Sequence, residues 1–233
     1  MTEYININIE KDDFGLKLGG GIPKGVVGII EGSEGFGKSI ISQRILYGAL
    51  YNGHSVTYIS TELSVVDFIR QMNSLGYHIE DYLLSGSLLF IPTLTLFGKI
   101  KEGEDLIFEL KKEKSRKIFE KDIIIIDSLS YPLINGIDRK KAIEIIDFLY
   151  KIKNMDKTIL ITYNPKEINK FFLENIRRVS DIYLMIKIST LGESMIRYIE
   201  VKRFRYPQSL YSTVIPFRVE PGIGLIVEVS SLV

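Results

Sequence analysis

Five short apolar runs mark the first two-thirds of the chain: Val26–Ile30, Val56–Ser60, Leu88–Ile91, Ile123–Ile126 and Thr158–Thr162. They are continuous rather than alternating, as strands buried on both faces must be. Between them, Val65–Leu75 and Leu106–Phe119 read as helices, and Asp138–Lys153 sets Ala142, Ile145, Ile146, Leu149 and Ile152 on one helical face, with Asp138 as N-cap. Strand and helix alternate from Val26 to Ile161, which predicts an α/β fold with a mostly parallel central sheet flanked by helices. After Asn164-Pro165 the rhythm changes. A short helix around Glu167–Ile176 gives way to strand-like segments at Asp181–Ile188, Met195–Arg203, Val214–Val219 and Leu225–Val229, with turns at Gly192 and Pro221-Gly222. These predict a partly antiparallel C-terminal extension of the sheet. Lys111–Lys117 reads as the solvated face of a helix.

The length of 233 residues suits one well-cored domain spanning 1–233. The balance of 30 basic against 29 acidic residues gives +1, so no bulk basic field points to a nucleic-acid-coating surface. There is no cysteine, hence no disulfide or thiolate site, and the two histidines, His54 and His78, are too isolated to suggest a metal cluster. The start Met1-Thr2-Glu3-Tyr4 has no basic, apolar leader character. No apolar run approaches the roughly 18 residues of a bilayer span. A cytoplasmic protein that meets a membrane only through partners is expected.

Candidate chemistry changes the picture at Gly32-Ser33-Glu34-Gly35-Phe36-Gly37-Lys38-Ser39, which fits G-x-x-x-x-G-K-[ST] between a buried strand and a helix. Glycines let backbone N–H groups converge on phosphate oxygens, Lys38 neutralises β/γ charge, and Ser39 offers a hydroxyl to Mg²⁺. The helix that opens here adds its positive end, so Ser39 and Ile40 join the binding residues. Downstream, Ile41, Ile45 and Ala49 fall at i, i+4, i+8 before Asn52-Gly53.

A phosphate loop also needs a carboxylate at the end of a neighbouring strand to hold the metal's water shell. Asp127, which ends Asp122-Ile123-Ile124-Ile125-Ile126-Asp127, supplies it at the strand edge where ligands bind in open α/β folds. The alternative is a strand-terminal Asp that caps its own turn through Ser128-Leu129-Ser130. Glu62 follows the strand Val56–Ser60 and is the candidate to activate water; Ser60-Thr61-Glu62 reads equally as an exposed helix start.

Together with Gly19-Gly20-Gly21-Ile22-Pro23-Lys24-Gly25, these motifs resemble the RecA-like P-loop ATPases of the KaiC/RadA group. Within it the chain is similar to the FlaH (ArlH) family of archaellum motor accessory proteins. The residues that carry this are Leu18–Pro23, Tyr58-Ile59-Ser60-Thr61-Glu62, Ile126-Asp127-Ser128-Leu129-Ser130 and the ending Phe217-Arg218-Val219-Glu220-Pro221-Gly222-Ile223-Gly224-Leu225. The resemblance spans almost the whole chain. It implies an ATP- and Mg²⁺-binding protein that forms a homo-oligomeric, hexameric ring at the inner face of the cell membrane. Its partners would be the motor ATPase FlaI, the FlaJ platform and a FlaX-type scaffold, with nucleotide binding as an assembly signal and hydrolysis weak or absent.

KaiC proteins carry two glutamates after the second strand, where this chain has Glu62-Leu63. Lys202, Arg203 and Arg205 resemble basic residues that related rings present to a neighbour's γ-phosphate; the alternative is surface charge on an edge strand. Adenine preference rests on the resemblance, since there is no N-K-x-D tetrapeptide. A DNA-dependent recombinase paralogue is the other reading. Arg177-Arg178 and Lys202-Arg203-Arg205 would have to carry it, against the near-zero net charge. An autonomous phosphotransferase would need an acceptor tail larger than Ser230-Ser231.

Overall fold

The computed structural model describes residues 2–93, 117–129, 139–191 and 194–228. A small antiparallel ribbon, β1 (Tyr4–Ile5) with β2 (Ile22–Pro23), precedes the main sheet. From one edge the main sheet runs β5 (Leu88–Pro92), β4 (Val56–Ser60), β6 (Ile123–Asp127), β7 (Thr158–Tyr163), β3 (Val27–Glu31) and β8 (Ile182–Leu191), all parallel. Antiparallel β9 (Ser194–Phe204), β10 (Val214–Glu220) and β11 (Gly224–Val227) complete it. The helices are α1 (Phe14–Lys17), α2 (Lys38–Tyr51), α3 (Val65–Ser74), α4 (Glu80–Leu84), α5 (Arg139–Lys153) and α6 (Lys170–Val179).

The pleat explains why the parallel strands are unbroken apolar runs. Ile123 and Ile125 of β6 enter the core shared with Ile41, Ile45, Leu46 and Ala49 of α2, while Ile124 and Ile126 enter the core under α5 and α6. Burying each such side chain stabilises the fold by about 1.5–3 kcal/mol. α5 offers Ala142, Ile145, Phe148, Leu149 and Ile152, close to the face expected.

The mostly parallel sheet with an antiparallel C-terminal part agrees with the sequence expectation, and seven of the nine expected strands fall within a residue of it at both ends. The short helix after Asn164 does not. It begins at Lys170 rather than near Glu167, because Asn169 caps it by accepting from the Phe172 N–H at 2.8 Å. The preceding residues form a turn on Asn164, whose Oδ1 accepts from Lys166 N–H (3.2 Å) and whose carbonyl accepts from Glu167 N–H (3.1 Å). Most of the expected helix Leu106–Phe119, its charged stretch Lys111–Arg116, and Asp138, Ser130, Gly192 and Ser230-Ser231 lie outside the described residues. Lys117–Phe119 form a single 3₁₀ turn.

The N-terminal segment is part of the core. Ile5, Ile7, Phe14, Leu18 and Ile22 are buried beside α2. There Arg44, with no exposed side-chain surface, pairs through Nε and Nη2 with both oxygens of Asp12 (2.7 and 2.8 Å), and Nη1 donates to the Ile7 carbonyl at 2.9 Å. Gly48 allows this approach: a Cβ there would stand 2.3 Å from the Ile7 carbonyl oxygen. His54 lies at the turn before β4, its Nε2 accepting from Asn6 N–H at 3.1 Å, and His78 is exposed. Among the described residues no helix is long and apolar enough to cross a membrane.

Candidate nucleotide site

In-register pairing brings the ends of the parallel strands to one edge. Ser60 of β4 lies opposite Asp127 of β6, and Glu31 of β3 opposite Tyr163 of β7. From Glu31 the chain curls through Gly32–Gly37 into α2. Gly35 and Gly37 hold φ of 74° and 105°, a region costly for any residue with a Cβ. Gly37 is also the N-cap of α2, and no side chain caps the helix there. The first-turn N–H groups are therefore left for an anion, in the orientation that the helix dipole favours.

A cavity of about 450 Å³ opens over this turn. Glu34, Gly35, Gly37, Lys38, Ser39 and Ile40 line it from the loop side, and Glu62, Ser128, Asn164 and Glu167 from the neighbouring strand ends. Gly32, Ser33 and Phe36 serve the loop itself: Gly32 N–H donates to the Tyr163 carbonyl (3.2 Å), the Ser33 carbonyl accepts from Lys38 Nζ (3.1 Å), and Phe36 packs on the core. Burial pushes the Lys38 ammonium below its ordinary value, against the opposing pull of Asp127, Glu167, Glu62 and Glu34. A phosphate would relieve that cost by supplying the missing anionic partner.

Asp127 is 4% exposed, and among the described residues its carboxylate is held by three hydroxyls from other elements. Oδ1 accepts from Ser39 Oγ at 3.2 Å and from Thr162 Oγ1 at 2.5 Å, and Oδ2 accepts from the Tyr58 hydroxyl at 2.6 Å. The loop hydroxyl and the strand-end carboxylate singled out in the sequence thus meet in space. Among the described residues no three His, Cys, Asp or Glu side chains could together hold a metal. A cation here would rest on the hard oxygens of Ser39 and Asp127 plus phosphate and water, the kind of partial shell that Mg²⁺ accepts.

Glu62 sits in the turn after β4, where Glu62 and Leu63 N–H groups both donate to Ser60 Oγ (3.3 and 2.9 Å). The next helix starts only after Ser64, which caps α3 by accepting from Asp67 N–H. Glu62 is therefore not a helix-start residue, and it lines the cavity. Glu62 is exposed, yet partial desolvation at the cavity first, and the Asp127 charge second, raise its carboxyl above the ordinary value against the pull of Lys38, the direction that makes a carboxylate a better base.

Arg203 and Arg205 lie elsewhere. Arg203 is paired with Tyr183 near the start of β8, and Arg205 N–H donates to the Asp181 carbonyl at 3.0 Å, at the opposite edge from the loop. Both side chains have partners within their own chain. Arg203 Nη1 donates to the carbonyls of Arg177 and Ser180 (2.8 Å each), and Arg205 Nη1 stands 3.3 Å from Asp181 Oδ1. Lys202 is exposed and pairs with Glu200 at 2.6 Å.

Sequence reasoning missed Asn164 and Glu167, which hold each other at 2.7 Å (Nδ2 to Oε1) on the cavity wall. The same strand-end rule that found Asp127 applies to Asn164, the residue after β7. It also missed buried Glu31, under α6, which accepts from the hydroxyls of Tyr163 (3.0 Å) and Tyr183 (2.8 Å) and from Arg177 Nε (2.8 Å).

Comparison with known proteins agrees with this geometry. The sequence profile of the KaiC ATPases matches residues 6–230. The archaeal flagellar ATP-binding protein FlaH of Methanocaldococcus jannaschii is 38% identical, over 100% of this chain and 99% of its own. The chain belongs to the FlaH family. FlaH of Methanococcus voltae is 36% identical over 99% of both chains. The crystal structure of the flagellar accessory protein FlaH from M. jannaschii superposes with a TM-score of 0.89 at 37% identity, covering 98% of this chain and all of that one. The RecA-like KaiC fold of the FlaH family is thus the fold of this chain.

Proposed function

We propose that residues 1–233 act as one ATP-binding domain of the archaellum motor complex, in which Mg²⁺-ATP in this cavity signals assembly rather than driving turnover. The carrying observation is the pairing of Ser39 with Asp127 across a loop that ends in an uncapped helix N-terminus. The names of the similar proteins, archaeal flagellar ATP-binding proteins, support the setting. Bound Mg²⁺ would neutralise phosphate charge beside Lys38. Gly35, Gly37, Lys38, Ser39 and Ile40 would bind the phosphates, Asp127 would hold the metal's water shell, and Glu62 would accept a proton from water in slow hydrolysis or none at all. The ATP-loaded form would favour a hexameric ring and docking to the motor ATPase FlaI beneath FlaJ, inside a FlaX-type scaffold at the inner membrane face. A ligand shifts such an equilibrium only by binding the competent state more tightly.

The test is Lys38→Ala. At ATP concentrations 100 times Kd, with Mg²⁺, the wild type should gain about 2.7 kcal/mol of stability, and the variant should gain none and fail to assemble. Equal ATP-induced melting shifts in both proteins would remove the site. Salt-sensitive DNA binding without nucleotide-dependent association would favour the recombinase alternative.

A further inference from the structure

Asp127 is held from behind as well as from the cavity. Tyr58, in the middle of β4, has no exposed surface and stacks on Phe68 (centroids 4.9 Å apart) and Phe90 (6.1 Å). Its surroundings are those of a core phenylalanine, except that its hydroxyl lies 2.6 Å from Asp127 Oδ2 and 3.1 Å from Ser42 Oγ. An ionised carboxylate only accepts, so the tyrosine's single hydrogen goes to Asp127. Buried Thr162, on β7 at the other side of β6, donates to Oδ1. The carboxylate is thus pinned by a hydroxyl from each flanking strand, and Ser39 takes a third of its roughly four lone-pair positions. Of these three donors, Ser39 alone lines the cavity, so it can turn to a metal while Tyr58 and Thr162 stay in place.

We infer that Tyr58, with Thr162, is a positioning residue for the metal-directed carboxylate, fixing the direction in which Asp127 offers its remaining lone pairs to a cation's water shell. This rests on the proposed role of Asp127. A rigid aromatic ring suits the task because its hydroxyl cannot follow the carboxylate if Asp127 swings, so reorientation breaks a charge-assisted bond. Partners of this kind behind a metal ligand are typically worth about 10–100-fold in metal affinity.

The experiment measures ATP affinity of the full chain in Mg²⁺ and in EDTA, together with direct Mn²⁺ binding by electron paramagnetic resonance, for Tyr58→Phe, Thr162→Val and Asp127→Asn. Tyr58→Phe should keep the EDTA affinity and lose about 10-fold or more of the enhancement given by the divalent cation, with a matching loss of Mn²⁺ affinity. Thr162→Val should do the same and Thr162→Ser should restore it, which keeps the test open if Tyr58→Phe fails to fold. If Asp127→Asn loses the enhancement while Tyr58→Phe and Thr162→Val retain it, the positioning inference is overturned and the metal role of Asp127 stands. If all three retain it, the metal role itself fails. A Tyr58→Phe loss that is equal in EDTA and Mg²⁺ would reduce Tyr58 to a packing group and overturn the inference as well.

Discussion

Replacing Arg203 and Arg205 one at a time separates a role in the fold from a role toward a neighbouring subunit. Arg203 closes the end of α6 through two 2.8 Å bonds to carbonyls, and it is only partly exposed. Hydrogen bonds from a charged donor are worth about 1.5–3 kcal/mol, so Arg203→Ala should lower the melting temperature by about 3–12 °C at roughly 2–4 °C per kcal/mol for a chain of this size. Arg205 is different. Its side chain is 50% exposed, and its partner Asp181 keeps Lys153 Nζ at 2.7 and 2.8 Å and Val27 N–H at 3.0 Å when Arg205 is gone. Solvent screening limits that pair to about 0–1 kcal/mol. Arg205→Ala should therefore melt within about 4 °C of wild type, and any loss of ATP-dependent assembly in sedimentation velocity belongs to an intersubunit contact. Arg205→Ala melting as low as Arg203→Ala would refute the assignment of the two to separate roles. Arg205→Ala assembling with ATP like wild type would remove its trans role.

Glu62→Gln keeps the size and most of the hydrogen bonding of the side chain, so ATP affinity should hold while single-turnover hydrolysis falls about 10²–10⁴-fold; unchanged hydrolysis would exclude it as the base. Arg44→Met strands the buried Asp12 carboxylate and should cost about 3–5 kcal/mol in urea unfolding, part of which Asp12→Leu in the same chain should recover. A loss under about 1 kcal/mol would mean that Asp12 reaches water once Arg44 is gone.

What the sequence exposes depends on how local the cause is. The parallel strands were legible because a doubly buried strand has to be apolar at every position, and the loop was legible because phosphate binding constrains consecutive residues. Asp127 was legible because strand ends share an edge. Tyr58 and Thr162 were not, since nothing in Val56–Ser60 or Thr158–Tyr163 says which residue faces the carboxylate across the sheet. The start of α6 was missed because Asn164 and Asn169 are both good caps, and Lys166 and Glu167 bind back to Asn164 instead of extending a helix. Arg44 was not singled out in the sequence; only the return of the N-terminal segment, with Asp12 and the Ile7 carbonyl, makes it a buried, paired cation.

The two edges of the sheet constrain how any assembly can form. Arg205 is tied to Asp181, which is level with Val27 at the start of β3, and the phosphate loop begins past the end of β3 at Gly32. Five residues of strand put about 16 Å between them, so Arg205 cannot serve its own cavity. If it meets a nucleotide, that nucleotide belongs to another copy, and each copy then offers one edge and receives at the other. Such a contact is head-to-tail and repeats until rotation closes it into a ring. A two-fold dimer would instead need both edges on a single self-complementary face. ATP-loaded protein that stops at a two-fold dimer, with Arg205 outside the interface, would therefore contradict the ring reading even if nucleotide binding at Lys38 were intact.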